Sequence, residues 1–447
     1  MTLAYRPDET SPFVRAFLAD RAIEPGSMDL AIDARDEMLG FLVQNLEGDR
    51  ERALFGYFRS GLSVADTMLQ VLRWRFGDLP GIRVLDFASG YGRVTRFLLR
   101  DLSPEQVRVS DVYADGVRFQ QERFGVRGIV STVLPGDFRC EETFDAILVT
   151  SLFTHLPDER FVEWLRVLFG LLRPGGMLLF STHDAALLEP GLEMPPSGLL
   201  FQEISESGSL DTRDYGSTWV TEAFVHGAVE RALGGPSASV HRLDRGLCNY
   251  QDLYVAVLEP GVDFSSLNVV REPHVFVEHA GLHGTDRLEM SGWAVILAGE
   301  LEAVELVLDG QVLGSFPIGH PRPEVAAMLG EERFVRSGWS GSATLPAGFP
   351  RATTVFLLRV RDSSGRSHLV RASTLESLLL ESTRNDVRFL SGELRKADEH
   401  LKALKASSDA EIGGLTARIA AMEQSRFWKM RKAWFRLKRT LGLTEEE

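Results

Sequence analysis

The sequence predicts an α/β protein in which helices precede a doubly wound, largely parallel sheet, followed by an all-β unit and a long C-terminal helix. Three observations carry that expectation. An apolar run from Ile82 to Leu85 ends in Asp86, small residues then recur at Ala88, Gly90 and Gly92, and a helical pattern opens at Val94, Phe97 and Leu98; this reads as strand, tight turn, helix. From about Val275 the period changes to short alternating strands, and from Leu375 to a helical repeat. At 447 residues the chain exceeds what one core usually holds, so two or three domains are expected.

Composition narrows the class. Cys140 and Cys248 are the only cysteines and lie far apart in sequence, which gives neither a disulfide framework nor a metal-ligand cluster and favours a reducing compartment, the cytoplasm. The net charge of -14 argues against a nucleic-acid groove spread over the surface. Charged residues interrupt Met1 to Asp20, so it lacks the apolar core of a signal peptide, and no run is long enough to span a bilayer.

Residues 1–80 read as a helical cap, with helices over Glu37 to Leu46, Arg50 to Phe58 and Val64 to Phe76 and a break at Ser60-Gly61. In the turn that follows, small residues let backbone approach a ligand, and the N–H groups of the helix start favour its polar or anionic parts. A dinucleotide fingerprint fits poorly, because Thr95 stands where its third glycine belongs. Asp86-x-Ala88-x-Gly90-x-Gly92 instead resembles motif I of the class I S-adenosylmethionine-dependent methyltransferases, with alanine where that family usually has its first glycine. The substitution matters only if the position needs a positive φ. The resemblance covers roughly residues 81–260 and implies a Rossmann-like sheet that binds S-adenosyl-L-methionine through Asp86, Ala88, Ser89, Gly90 and Gly92. It also implies that Tyr57 lies near the site.

Val107 to Asp111 reads as the second strand, 25 residues beyond Asp86 at its end, and an acid there can accept two ribose hydroxyls. The resemblance assigns that role to Asp111, with Val112 beside it. A third strand, Gly128 to Leu134, leads to Asp137 and Phe138, which the resemblance places around the adenine. Phe144 to Ser151 is a buried fourth strand, and the resemblance implies that Thr150 and Ser151 at its end reach cofactor and acceptor. A crossover helix over Asp158 to Leu172 stops at Arg173-Pro174-Gly175-Gly176, and Met177 to Ser181 is the fifth strand. The strand ends share one edge of the sheet with His155 and His183, the two base candidates. Residues 185–222 form a long insertion at that edge, and Ala238 to Arg245 with Gln251 to Leu258 resembles the family's closing hairpin.

A linker begins at Glu259-Pro260-Gly261. Seven strands follow within 268–373, with Asp309-Gly310 as a hairpin turn, and argue for a small β-sandwich. Ser291-Gly292-Trp293-Ala294, His320-Pro321-Arg322-Pro323 and Ser337-Gly338-Trp339 resemble an immunoglobulin-like module appended to bacterial surface-glycan enzymes, with Trp293 and Trp339 in its core. Over 375–424 a seven-residue repeat at Val387, Leu394, Leu401, Ser408, Leu415 and Met422 predicts a coiled coil and hence a homo-oligomer; the alternative is one helix packed on its own domain. A four-residue shift near Ser408 and Gly413-Gly414 should weaken it locally. Residues 425–443 read as a basic amphipathic helix with seven Lys or Arg and no acid. An anionic membrane surface is its expected partner, giving a peripheral location on the inner face of the cell membrane; a protein partner is the alternative and RNA a remote third.

The expected activity is transfer of a methyl group to an acceptor hydroxyl on a glycan or small molecule, without metal or covalent chemistry. The acidic-proline-aromatic tetrapeptide of amino-directed DNA methyltransferases is missing from the sequence. Resemblance of the two C-terminal modules points to a sugar of a cell-surface polysaccharide. The alternative is a non-catalytic, cofactor-binding adaptor that organises glycan-synthesis enzymes.

Overall fold

The computed structural model describes residues 2–6, 11–24, 26–189, 191–205 and 207–441. The chain opens with β1 (Leu3–Tyr5), α1 (Pro12–Asp20), β2 (Ile32–Asp33), α2 (Glu37–Asn45) and α3 (Arg50–Phe76), the two strands pairing antiparallel. Ser11 starts α1 by accepting from the Val14 amide at 3.2 Å, and Asp49 starts α3 by accepting from the Arg52 amide at 3.1 Å. The break expected at Ser60-Gly61 is not there: α3 runs through it unbroken. Gly61 is needed for contact instead, since a Cβ there would lie 2.4 Å from the Arg93 carbonyl oxygen. Close approach of α3 to the turn after Asp86 outweighs the ~1 kcal/mol that glycine costs inside a helix.

The first large sheet is built from β3 (Val84–Phe87), α4 (Thr95–Leu98), β4 (Val107–Asp111), α5 (Ala114–Phe124), β5 (Arg127–Val130), β6 (Phe144–Val149), α6 (Asp158–Gly170), β7 (Leu172–Asp184), β8 (Leu199–Gln202), β9 (Ser217–Val220), α7 (Glu222–Leu233), β10 (Ser239–Leu247) and β11 (Gln251–Val257). Its strand order is β10-β11-β7-β6-β3-β4-β5, parallel from β7 to β5 and closed by the antiparallel pair β11 and β10. Alternate residues serve opposite faces. Val84, Ala146 and Leu148 join one apolar core with α1 and α3, whereas Leu85, Ile147 and Val149 join a second with α6 and α7. Burial on both faces explains the unbroken apolar run of β6.

Three boundaries differ from expectation. β5 stops at Val130, and Pro135–Asp137 is a 3₁₀ turn. Arg173 to Gly176 belongs to β7 rather than to a helix stop, because α6 already ends at Gly170. Within the insertion, β8 pairs with β9, which runs parallel to the end of β7 through His183 and Trp219.

The second sheet contains β12 (Pro273–His283), β13 (Arg287–Ile296), β14 (Leu301–Leu308), β15 (Gln311–His320), a short α8 (Pro323–Leu329), β16 (Gly338–Thr344), β17 (Val355–Asp362) and β18 (Ser367–Thr374). Its order is β12-β13-β16-β15-β14-β17-β18, antiparallel throughout. Asp309 and Gly310 both have positive φ, 47° and 80°, as the two-residue hairpin between β14 and β15 requires. Trp339 is buried in the core shared by the strands. Trp293 is only partly buried, packing near Val295, Val325 and Phe334.

The two sheets share apolar packing. Val307, Leu357, Leu369 and Ala372 from β14, β17 and β18 belong to the same core as Phe17 of α1 and Leu69 of α3. The connecting segment is strapped to α3: Trp74 stacks on Phe264 with ring centres 5.3 Å apart, its indole donates to Ser266 Oγ at 3.0 Å, and the Val270 amide donates to Gln70 at 2.9 Å. Met1–Leu379 forms one compact unit.

The second unit, Leu380–Glu447, contains most of α9 (Leu375–Gln424) and all of α10 (Arg426–Thr440). α9 continues through Gly413-Gly414, and the helix breaks at Ser425 instead, whose ψ of 147° is extended. Leu394, Leu401 and Leu415 of the seven-residue repeat are exposed. Gly442 and Leu443, the end of the basic segment, lie outside the described residues.

Candidate functional site

A cavity of ≈ 250 Å³ lies beyond the carboxyl ends of β3, β4 and β6, where the strand order reverses direction. Open α/β sheets bind ligands at that crevice. The turn after β3 forms its floor. Ala88, Gly90 and Gly92 have φ of 58°, 55° and 77°. The alanine therefore sits in the left-handed region, at a cost of roughly 1–2 kcal/mol for its Cβ. A Cβ on Gly90 would meet nothing within 4 Å, so this backbone opens onto the cavity, whereas one on Gly92 would lie 2.4 Å from the Phe124 ring. Gly90 faces the cavity and Gly92 faces packing. The helix that follows is a single turn, Thr95–Leu98, so little of the expected helix-start field is available.

Buried polar contacts hold this turn. Gln120 of α5, wholly buried, donates its amide to Ser89 Oγ at 2.9 Å and to the Gly90 carbonyl at 3.0 Å. Asp111 Oδ2 accepts from the Gly90 amide at 2.7 Å and its Oδ1 from the Tyr113 amide at 2.9 Å. The Val112 amide bonds the same carboxylate, whose two oxygens offer about four acceptor sites in all, so capacity for a further donor remains. Thr95 Oγ1 lies 2.6 Å from Asp86 Oδ2 and 2.8 Å from Gln120 Oε1, yet carries one proton for two acceptors. Burial, with the Asp111 charge in addition, pushes the Asp86 carboxyl up to about 7, against a stabilising hydrogen bond from Thr95.

Arg35 and Asp36, just before α2, and Glu37 and Met38 of its first turn form a second wall. Arg96 fixes it: its guanidinium, buried beside the rings of Tyr57 and Phe58, donates to the carbonyls of Ala31 at 3.0 Å and Gly92 at 3.1 Å. Asp36 Oδ1 accepts from the Met38 amide at 3.0 Å and Oδ2 from the Tyr57 hydroxyl at 2.5 Å. Burial raises the Asp36 carboxyl above its ordinary range, opposed by these hydrogen bonds and by Arg96 and Arg93. Tyr57 thus stands behind the wall rather than on it. Sequence reasoning missed Asp36, Gln120 and Arg96, which no periodic pattern marks.

Of the expected site residues, Asp86, Ala88, Ser89, Gly90, Asp111, Val112, Thr150 and Ser151 line the cavity together. Asp137 and Phe138 do not. Asp137 is exposed in its 3₁₀ turn, and Phe138 packs on Phe87 and Trp164 at 5.6 and 5.8 Å; Ser131, Thr132 and Val133 line the wall instead. Neither histidine reaches the lining. His155 Nδ1 lies 2.6 Å from the Gly216 carbonyl oxygen, and its ring is stacked 4.3 Å from Tyr215, which takes the lining position. His183 lies behind Ser151, 3.5 Å from Gln251, which shares a hydrogen bond with the Ser151 hydroxyl at 3.0 Å. Burial, together with His155, holds its imidazole down to about 4, a weak base. From the insertion come Ser207, Leu210, Asp214 and Tyr215. Among the described residues no group of three or more His, Cys, Asp or Glu is placed to hold a metal ion.

Residues 84–176 match the family described as "Methyltransferase domain". Among curated relatives, a probable phthiotriol/phenolphthiotriol dimycocerosates methyltransferase 2 of Mycobacterium ulcerans is 31% identical over 129 residues, covering 26% of this chain and 48% of that protein. A malonyl-[acyl-carrier protein] O-methyltransferase of Bacillus cereus is 29% identical over 120 residues, 27% of this chain and 44% of the other. The chain thus spans about half the length, or less, of these relatives. Among solved structures, Streptomyces venezuelae DesVI aligns with a TM-score of 0.34 at 15% identity, over 44% of this chain and 92% of that one. An amino pentose methyltransferase from Micromonospora echinaspora, CalS10 with S-adenosylmethionine bound, aligns at 0.33 and 16%, over 45% and 91%.

S-adenosyl-L-methionine carries positive sulfonium and ammonium groups and a ribose diol. The cavity fits them: the carboxylates of Asp36, Asp86 and Asp111 line it, Gly90 leaves its backbone open, and Val112 and Val133 supply apolar wall. Asp111 would accept the ribose hydroxyls and Asp86 would face the positive charge. Residues 84–176 therefore match a methyltransferase domain, and the lining of its cavity fits S-adenosyl-L-methionine as the cofactor.

Proposed function

We propose that the protein methylates a hydroxyl of a saccharide, a sugar within a cell-surface polysaccharide. The observation that carries the reading is Asp36, a carboxylate on the cavity wall whose basicity burial raises and whose orientation two hydrogen bonds fix. Bound cofactor supplies an activated methyl group. The protein's share is to align the acceptor, exclude water and take one proton. Asp36 Oδ2 is the proton acceptor, and the Tyr57 hydroxyl donating to the same oxygen holds it in place. At the mouth, Arg35, Glu37, Ser207, Asp214 and Tyr215 offer polar groups suited to sugar hydroxyls. The name of the Bacillus cereus relative, an O-methyltransferase, agrees with an oxygen acceptor. Calorimetric titration with S-adenosyl-L-methionine, then transfer of labelled methyl to extracted surface polysaccharide and a panel of free sugars, tests the reading. Cofactor binding without transfer to any of them would overturn it in favour of a non-catalytic adaptor.

Affinity should also depend on pH. A cation beside Asp86 prefers the ionised carboxyl, whose folded value near 7 lies above the ordinary 3.8, so protonation competes with cofactor as pH falls through 7. Affinity is expected to fall roughly tenfold per unit below that point and to level off above it. Titrations at pH 6 and pH 8 giving equal dissociation constants would show that Asp86 does not meet the positive charge.

A further inference from the structure

We infer that α10 is a docking helix for anionic lipid. Ser425 ends α9 and starts α10 by accepting from the Trp428 amide at 3.2 Å, so the last turns form a helix of their own. Leu437, Met430, Leu441, Trp434 and Phe427 fall within roughly a quarter of the helix circumference. Every one of them is more than half exposed, from 51% at Leu437 to 72% at Phe427. Soluble proteins seldom leave such a strip in water.

The charges choose the occupant. Between Ser425 and Leu443 there are seven Lys or Arg and no carboxylate in a chain of net -14, so the remainder carries -21. Lys429, Lys432, Arg436 and Arg439 occupy the side away from the apolar strip. A protein groove taking the strip would leave those cations in solvent. A charged plane attracts them too, because they lie within a Debye length of it. Arg431 stands over Trp428 and Phe435 at 4.9 and 5.6 Å, sheltering a second aromatic pair at the flank. Amphipathic helices with aromatics on one side and Lys or Arg on the other lie in the headgroup region of anionic bilayers. No helix among the described residues is long and apolar enough to cross a membrane, so attachment would be in the plane.

The test uses the full chain with vesicles of phosphatidylcholine alone or mixed with phosphatidylglycerol. Co-sedimentation with the anionic vesicles should exceed that with neutral ones at least tenfold at low salt and decline as sodium chloride is added. The full-length W434S/L437S variant should lose the anionic preference while keeping wild-type cofactor affinity. Equal partition to both vesicle types, no partition at low salt, or an unchanged W434S/L437S variant would each overturn the proposal; the second outcome would point to a protein groove.

Discussion

Gly90→Val is expected to fold but to bind S-adenosyl-L-methionine at least a hundredfold more weakly, whereas Gly92→Val is expected not to reach a stable fold. Both residues have positive φ, so valine brings backbone strain of roughly 1–2 kcal/mol in either place. Their surroundings separate them. Around Gly90 a Cβ meets no protein atom within 4 Å and projects into the cavity, where it would displace ligand rather than structure. Around Gly92 it lies 2.4 Å from Phe124 and 2.8 Å from Gln120 Oε1. Phe124 is held under Arg96, and Gln120 holds the turn itself, so neither can yield cheaply. Overpacking and lost buried hydrogen bonds together reach about 4 kcal/mol or more, a large part of a domain's stability. Thermal melts and calorimetric titration of both variants give the comparison; a Gly90→Val protein with wild-type affinity would remove the turn from the binding site.

Asp36→Asn should lower turnover by about 10² to 10⁴ while cofactor affinity changes only a few-fold. Asparagine keeps the shape and can still accept from Tyr57, but cannot take a proton at neutral pH. Tyr57→Phe should cost less, about tenfold, because its hydroxyl only orients Asp36. Since burial raises the Asp36 carboxyl above its ordinary range, wild-type turnover should rise with pH through that raised value, and the dependence should vanish in Asp36→Asn. Full turnover in Asp36→Asn would mean that alignment alone suffices; an equal loss of cofactor affinity would make Asp36 a binding group.

What sequence revealed and what it hid divide along a physical line. Asp86, Gly90, Asp111 and Ser151 are set by local grammar, a strand end followed by a tight turn, and local grammar is legible in one dimension. The seven strands of the second sheet were legible for the same reason. The misplaced residues depend on which way a side chain turns once distant segments meet. His155 precedes the insertion that supplies both its hydrogen-bond partner Gly216 and the ring of Tyr215 that covers it. Phe138 is claimed by Trp164, 26 residues on. Asp36 becomes a candidate base only because Arg96, 60 residues away, holds the preceding segment against the turn. Gly61 read as a helix break because no local feature reports that Arg93 will come within contact distance.

The apolar seam joining the two sheets limits how this chain can be divided. A cut in the connecting segment would strip Val307, Leu357, Leu369 and Ala372 from the side chains they cover on α1 and α3 and would take Phe264 off Trp74. What remained would carry an uncovered oily face next to the helix that supports the cofactor turn. The second sheet is therefore no interchangeable cassette hung on a self-sufficient domain. Recombination that swapped it would have to bring a matching underside, so the two parts are constrained to be inherited together.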